Sequence, residues 1–344
     1  MINFRYHVVS LTAVFLALAV GLVLGSTVLN GPMLDALESR VNTMGRENSQ
    51  LREQVAFLEE EVNREQVWAD EAAPALLAGT LTGRRVGLLV TPAGRDYAAG
   101  VAEKLELAGA IITGTVALTD KFSHPQHRMN ELLDVALNSV PESVDADALP
   151  SNSDGVETSA ALLAAVLMAD APAAAGPPAA PPEEEAGDEA AGPQAEAPQD
   201  RPPSAAAVPD DERQAVLSAY TTLEYLERDG WETPAELVVV VTGLPDSESD
   251  ADQRNDAIVT TVTQFGLAGP VVVAGVGLAG DGNVVAEVRG NPELAATVST
   301  VDNAGGPQGQ VATGLAVAER LAGTVGHYGI GDRAESMLPG DPEQ

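Results

Sequence analysis

The chain has no cysteine and few basic residues: 18 lysines and arginines stand against 51 aspartates and glutamates in 344 residues, a formal net charge of −33. Without cysteine there is no disulfide, no thiolate metal site and no thiol nucleophile. That absence does not fix a compartment, because extracytoplasmic proteins also do without cysteine. The charge excludes a nucleic-acid binder that works through a basic face. It also repels anionic lipid headgroups, so any attachment to a membrane has to be hydrophobic. Histidine is scarce too, with four residues. The sequence contains no His-Glu-x-x-His run, no nucleophile elbow and no serine set in a triad pattern. No catalytic residue suggests itself, and the expectation is a protein that is not an enzyme.

What is present begins at the N-terminus. Residues 8–30, VVSLTAVFLALAVGLVLGSTVLN, carry no charge and are dominated by Val, Leu and Ala, the length and composition of a membrane-spanning helix of about 20 residues. Arg5, with His7 and the terminal amine nearby, places residues 1–7 in the cytoplasm and the bulk of the chain outside it. A signal peptide cleaved near Ala17 and Ala19 is the rival reading. The apolar run continues well past that point and favours an uncleaved single-pass anchor. Within the span, Ala17, Gly21 and Gly25 have the small-xxx-small spacing that lets membrane helices approach closely. Asn30, Gly31 and Pro32 then suggest a kink or a restart.

Behind them, over residues 33–72, an a/d alternation runs through Leu34, Leu37, Val41, Met44, Asn48, Leu51, Val55, Leu58 and Val62. This predicts a coiled-coil stalk of about four heptads. Asn48 falls at an a position, where a buried amide gives up stability to fix register and favour two parallel strands; Glu47 at g faces Arg52 at e of a parallel partner. The partner is a second copy or a different coiled-coil chain. An amphipathic helix packed on its own domain is the alternative reading of the same pattern.

Residues 80–141 and 213–332 read as two parts of one α/β domain with a doubly wound, Rossmann-like, mostly parallel sheet. Apolar runs at 84–91, 111–119, 235–243, 270–275 and 296–303 predict strands, and 97–110, 249–266 and 309–323 have helical spacing. Near-continuous apolar strands suit a sheet covered on both faces. Between the two parts, residues 142–212 form a mostly disordered insertion rich in Pro, Ala and acid, preceded within that range by an apolar helix at 156–170 that is too short to span a membrane. Residues 333–344 make a flexible tail.

Three features invite chemistry. The run GVGLAG at 275–280 matches the dinucleotide fingerprint, but DGNVVAEVRGNP after it reads as a turn and short strand rather than the helix such a site requires. His124, His127 and Met129 cluster in HPQHRM, and imidazole with thioether suits copper; surface histidines without a metal are the plainer reading. Asp96 and Asp302 sit near strand ends, where open α/β sheets place ligands. No cofactor-binding residues are expected.

The N-terminal stretch MINFRYHVVSLTAVFLALAVGLVLGS and the coiled coil, with RRVGLLVTPAGRD, VVVAGVG, STVDN, GQVATGLAVAERLAG and GHYG, resemble the actinobacterial copper transport protein B family. The resemblance covers nearly the whole chain outside residues 142–212. It implies a single-pass envelope protein with a role in copper efflux or channel formation, with copper as the transported ion. It supplies no catalytic residues. The family is also similar to proteins acting in cell separation, which implies an alternative: a non-catalytic coiled-coil scaffold that docks a membrane partner and regulates a peptidoglycan hydrolase.

Overall fold

The computed structural model describes residues 4–125, 130–150, 154–169, 208–244, 250–277 and 283–340, except the side chains of residues 26–36. The chain divides into a unit of residues 1–65 and a second of residues 66–344.

The first unit is helical. A single helix, α1 (Phe4–Leu77), starts in it and continues into the second unit. It passes through residues 30–32 without the expected restart. A mid-helix proline removes one N–H bond and bends a helix more readily than it ends one. Phe4–Gly25 is long and apolar enough to cross a membrane, with none of it buried in the fold. Beyond it, Leu37, Val41, Met44, Leu51, Val55, Leu58 and Val62 are all exposed.

The second unit is a seven-stranded sheet in the order β3-β2-β1-β4-β5-β6-β7. Its strands are β1 (Arg85–Val90), β2 (Ile111–Leu118), β3 (Leu226–Gly230), β4 (Leu237–Val241), β5 (Val271–Ala274), β6 (Val298–Val301) and β7 (His327–Tyr328). Every neighbouring pair is parallel except β2 and β3. Alternate residues of the central strands enter two cores. Val238, Val240, Val271 and Val273 face one side, and Leu237, Val239, Val241 and Val272 the other. This is why the strands read as unbroken apolar runs instead of alternating ones.

The helices are α2 (Arg95–Leu107), α3 (Asp120–Ser123), α4 (Glu131–Asn138), α5 (Gly155–Leu167), α6 (Asp210–Thr222), α7 (Ala251–Ala268), α8 (Val284–Gly290), α9 (Pro292–Ala295) and α10 (Pro307–Leu321). On one face α2, α10 and the end of α1, through Ala73 and Leu77, share a core with β1 and β4. On the other, α5 and α7 pack under β4 and β5. Twelve of the thirteen residues of α5 are buried, so this apolar helix is an internal core element. Asp154 caps it by accepting from the Val156 amide at 2.9 Å. Trp231, fully buried, donates from its indole to the Leu167 carbonyl at 3.0 Å. Gly87 makes room for it: a Cβ there would lie 2.4 Å from the Trp231 ring.

Two elements depart from the sequence reading. The stretch 284–290, expected as a strand, is α8: Val284 and Val288 stand four apart on one buried helical face, and Asn283 caps it by accepting from the Ala286 amide at 2.8 Å. Strand β3, absent from the sequence reading, is LERDG at the sheet edge, with every residue but Leu226 exposed. Charged edge strands of this kind resist further strand pairing. Most of the Pro/Ala-rich insertion, residues 170–207, lies outside the described residues.

Candidate functional site

Chain order and strand order part company between β1 and β4: from β1 the chain goes to β2 on one side, and later strands fill in on the other. In open parallel sheets, ligands settle at the carboxyl ends of the strands flanking such a reversal. A cavity of about 420 Å³ lies there, lined among others by Thr91 and Thr242, which follow β1 and β4, and by Asp120, Arg254, Asn255 and Asn283. Ile258, Leu244 and Val284 give it an apolar side.

The two loops that form its floor meet backbone to backbone. The Thr91 amide donates to the Val241 carbonyl at 3.0 Å. A Cβ at Gly243 would stand 1.8 Å from the Ala93 carbonyl oxygen, and one at Gly94 would stand 2.2 Å from that of Val241. Only residues without a side chain allow this crossing. Thr91 is 2% exposed, and its hydroxyl has no hydrogen-bond partner. Buried hydroxyls are seldom left this way.

Above the floor stands the N-terminus of α7. The Asp250 side chain does not cap this helix. Instead it accepts from Arg254 Nε at 3.0 Å, while Arg254 Nη1 lies 3.6 Å from Asp120. His124 Nε2 is 3.9 Å from Asp250. The sequence reading missed Thr91, Thr242, Arg254 and Asn255. A signal existed: LLVTPAG and VVVVTGLP both end an apolar strand on Thr followed by a turn residue.

Of the three candidate metal ligands, His124 is half-buried beside Asp250, and His127 and Met129 lie outside the described residues. Among the described residues, no group of three His, Asp or Glu side chains converges as a metal site. In the glycine-rich run, Gly275 to Gly277 are described and residues 278–280 are not. The helix α8 does follow it, contrary to expectation, but with seven residues and after Asn283.

Asp302, read from sequence as a strand-end acid, is fully buried and fully engaged. It accepts from Arg289 Nη1 at 2.8 Å and from the amides of Ile330 and Gly331 at 2.9 Å each. It presents nothing to a ribose. Arg289 also donates to Thr300 Oγ1 and to the carbonyls of Tyr328 and Asp332. His327 completes the cluster, with Nδ1 2.9 Å from Thr300 Oγ1 and Nε2 3.1 Å from the Ala295 carbonyl. In the apolar N-terminal part of α1, nothing lies within 4 Å of a Cβ built on Gly21 or Gly25.

The sequence is similar to known proteins over nearly its whole length. The family described as copper transport outer membrane protein, MctB, matches residues 1–339. The copper transporter MctB of Mycobacterium tuberculosis is 30% identical over 98% of this chain and 99% of its own length, as is that of Mycobacterium bovis. The Mycobacterium leprae protein of the same name is 29% identical over the same shares. Over residues 1–339, therefore, this chain belongs to the MctB family of copper transport outer membrane proteins.

Proposed function

We propose that the protein is a membrane-anchored, non-catalytic envelope component of copper homeostasis that acts in copper efflux. The observation carrying this reading is end-to-end similarity to mycobacterial proteins named copper transporters, 30% identical over 98% of the chain. The apolar span Phe4–Gly25 supplies the anchor. One apolar helix cannot line a polar ion path by itself, so copper movement needs several copies or a further protein. The exposed row from Leu37 to Val62 suits association of copies: a parallel dimer buries it and places Asn48 in the seam. His124, His127 and Met129, with borderline and soft ligand atoms, are the copper contact of the head. Neither the fold nor the relatives' names bear on cell separation or on a hydrolase partner.

The test is deletion of the gene followed by growth in copper-supplemented medium, with cell-associated copper measured by mass spectrometry. Copper should rise above the parent and return with the full chain. Unchanged copper content overturns the reading. Full rescue by a chain carrying His124→Ala, His127→Ala and Met129→Ala removes that cluster from it and leaves the rest.

A further inference from the structure

The exposed row on α1 departs from an optimal seam over one short stretch, Met44 to Asn48. The d positions are Leu37, Met44, Leu51 and Leu58, so Met44 alone replaces the leucine that suits a two-stranded seam. Its side chain is 67% exposed in the single chain. Gly45 follows at an e position inside the helix, where glycine costs stability relative to alanine. Nothing within the single chain accounts for that glycine: its φ is not positive, and a Cβ built on it meets no atom within 4 Å. Asn48, at the next a position, is the third departure in the same stretch.

A second parallel copy gives all three a common place, and the inference rests on the parallel dimer proposed above. Charge argues for that occupant of the row: Glu47 and Arg52 complement each other between identical chains in parallel register, and the apolar span Phe4–Gly25 holds copies side by side. In such a pair the Met44 knob enters a hole formed by Val41, Met44, Gly45 and Asn48 of the other copy. Gly45 removes one wall of that hole, and the two Met44 sulfurs face each other across the space it leaves. Thioethers select Cu(I) over hard cations such as Mg²⁺ and Ca²⁺. We propose that the dimer binds one Cu(I) ion between the two Met44 thioethers, with the Asn48 amides closing the site on its C-terminal side. The copper reading thereby gains a contact on the stalk that both copies make together and neither makes alone.

The experiment titrates Cu(I), anaerobically and against a competing chromophoric chelator, into the full chain in detergent. A background of His124→Ala, His127→Ala and Met129→Ala silences the head cluster, and sedimentation of the same samples reports the oligomer. The expected result is a dimer that takes up one Cu(I) per two chains, with sulfur in the copper shell by X-ray absorption. Met44→Leu restores the favoured d residue, so the dimer should persist or tighten while Cu(I) affinity falls by about tenfold or more. The combined Leu51→Ser, Val55→Ser and Leu58→Ser chain should lose the site as a monomer, although its Met44 is intact. A dimer whose Cu(I) affinity Met44→Leu leaves unchanged overturns the copper site and leaves the dimer reading standing. A monomeric parent chain overturns both. Cu(I) held by the triple-serine monomer as tightly as by the dimer overturns the shared site as well.

Discussion

Arg289 and Asp302 are the most completely buried opposite charges among the described residues, 1% and 0% exposed at the side chain. Each of the three Arg289 nitrogens finds an oxygen, and two backbone amides and the guanidinium surround the Asp302 carboxylate. Such a pair adds little net stability over an apolar pair of equal volume, but breaking it on one side is severe. Asp302→Asn should lower unfolding stability by about 3–5 kcal/mol in urea titration. The double variant Arg289→Met with Asp302→Leu should lose much less, since neither charge is then stranded. The sequence exposed Asp302 as an acid ending a strand; it hid the partner, because 284–290 with its valines reads as a strand and Arg289 then points nowhere in particular. Only the helical face of α8 turns Arg289 inward beside Val285 and Val288.

His327 is linked to this pair through Thr300. Its Nε2 lies against a carbonyl and its Nδ1 against the Thr300 hydroxyl, which also accepts from Arg289. Burial first, and then the nearby Arg289 charge, hold the ring's pKa below the ordinary histidine value, against a smaller upward pull from Glu335 and the Ala295 carbonyl. With the folded pKa depressed, the unfolded chain takes up this proton first as pH falls. The contribution is intact above about pH 6.5, declines from there toward the lower folded value, and levels off below it. Urea midpoints at about pH 7.5 and 5.5 should differ less for His327→Gln than for the parent.

At the scale of elements, period and length made most of the second unit legible. Strands β1, β2 and β4 to β6, and helices α2, α7 and α10, fall within a few residues of where apolar runs and helical spacing place them. The misses have different causes. Strand β3 carries Glu227, Arg228 and Asp229 because an edge position leaves them in water, and no hydrophobic pattern marks such a strand. In α1 the pattern is clear and its use is not: Leu51, Val55 and Leu58 are 60%, 52% and 57% exposed in the single chain. In the proposed parallel dimer a second copy covers this row and aligns Asn48 with Asn48 and Glu47 with Arg52. Sedimentation of the full chain in detergent should show a dimer that Leu51→Ser, Val55→Ser and Leu58→Ser together convert to monomer. Asn48→Leu should strengthen association while admitting higher oligomers. A full-length monomer at micromolar concentration would sink the seam as a homodimer interface.

At the scale of the whole molecule, the sequence told where five of the seven strands lie but not which are neighbours. The crevice depends on that second fact: Thr91 and Thr242 are far apart in the chain and meet only because β1 pairs with β4. A net charge of −33 likewise fixes no orientation, because insertion responds to lysine and arginine near the span and hardly to acids. Before the apolar run 8–30 stands Arg5, three residues away; after it, the first basic residue is Arg40, ten residues beyond Asn30. The proposed cytoplasmic N-terminus rests on the nearness of Arg5 to that run. Alkaline phosphatase fused after residue 340 should therefore be active and a β-galactosidase fusion there inactive, since only the former folds outside the cytoplasm. Because the bias rests on so few charges, Arg5→Glu should yield a mixed population, with both reporters partly active. An active β-galactosidase fusion on the parent chain would place the sheet, its crevice and His124 on the cytoplasmic side, where an envelope role for the head could not stand.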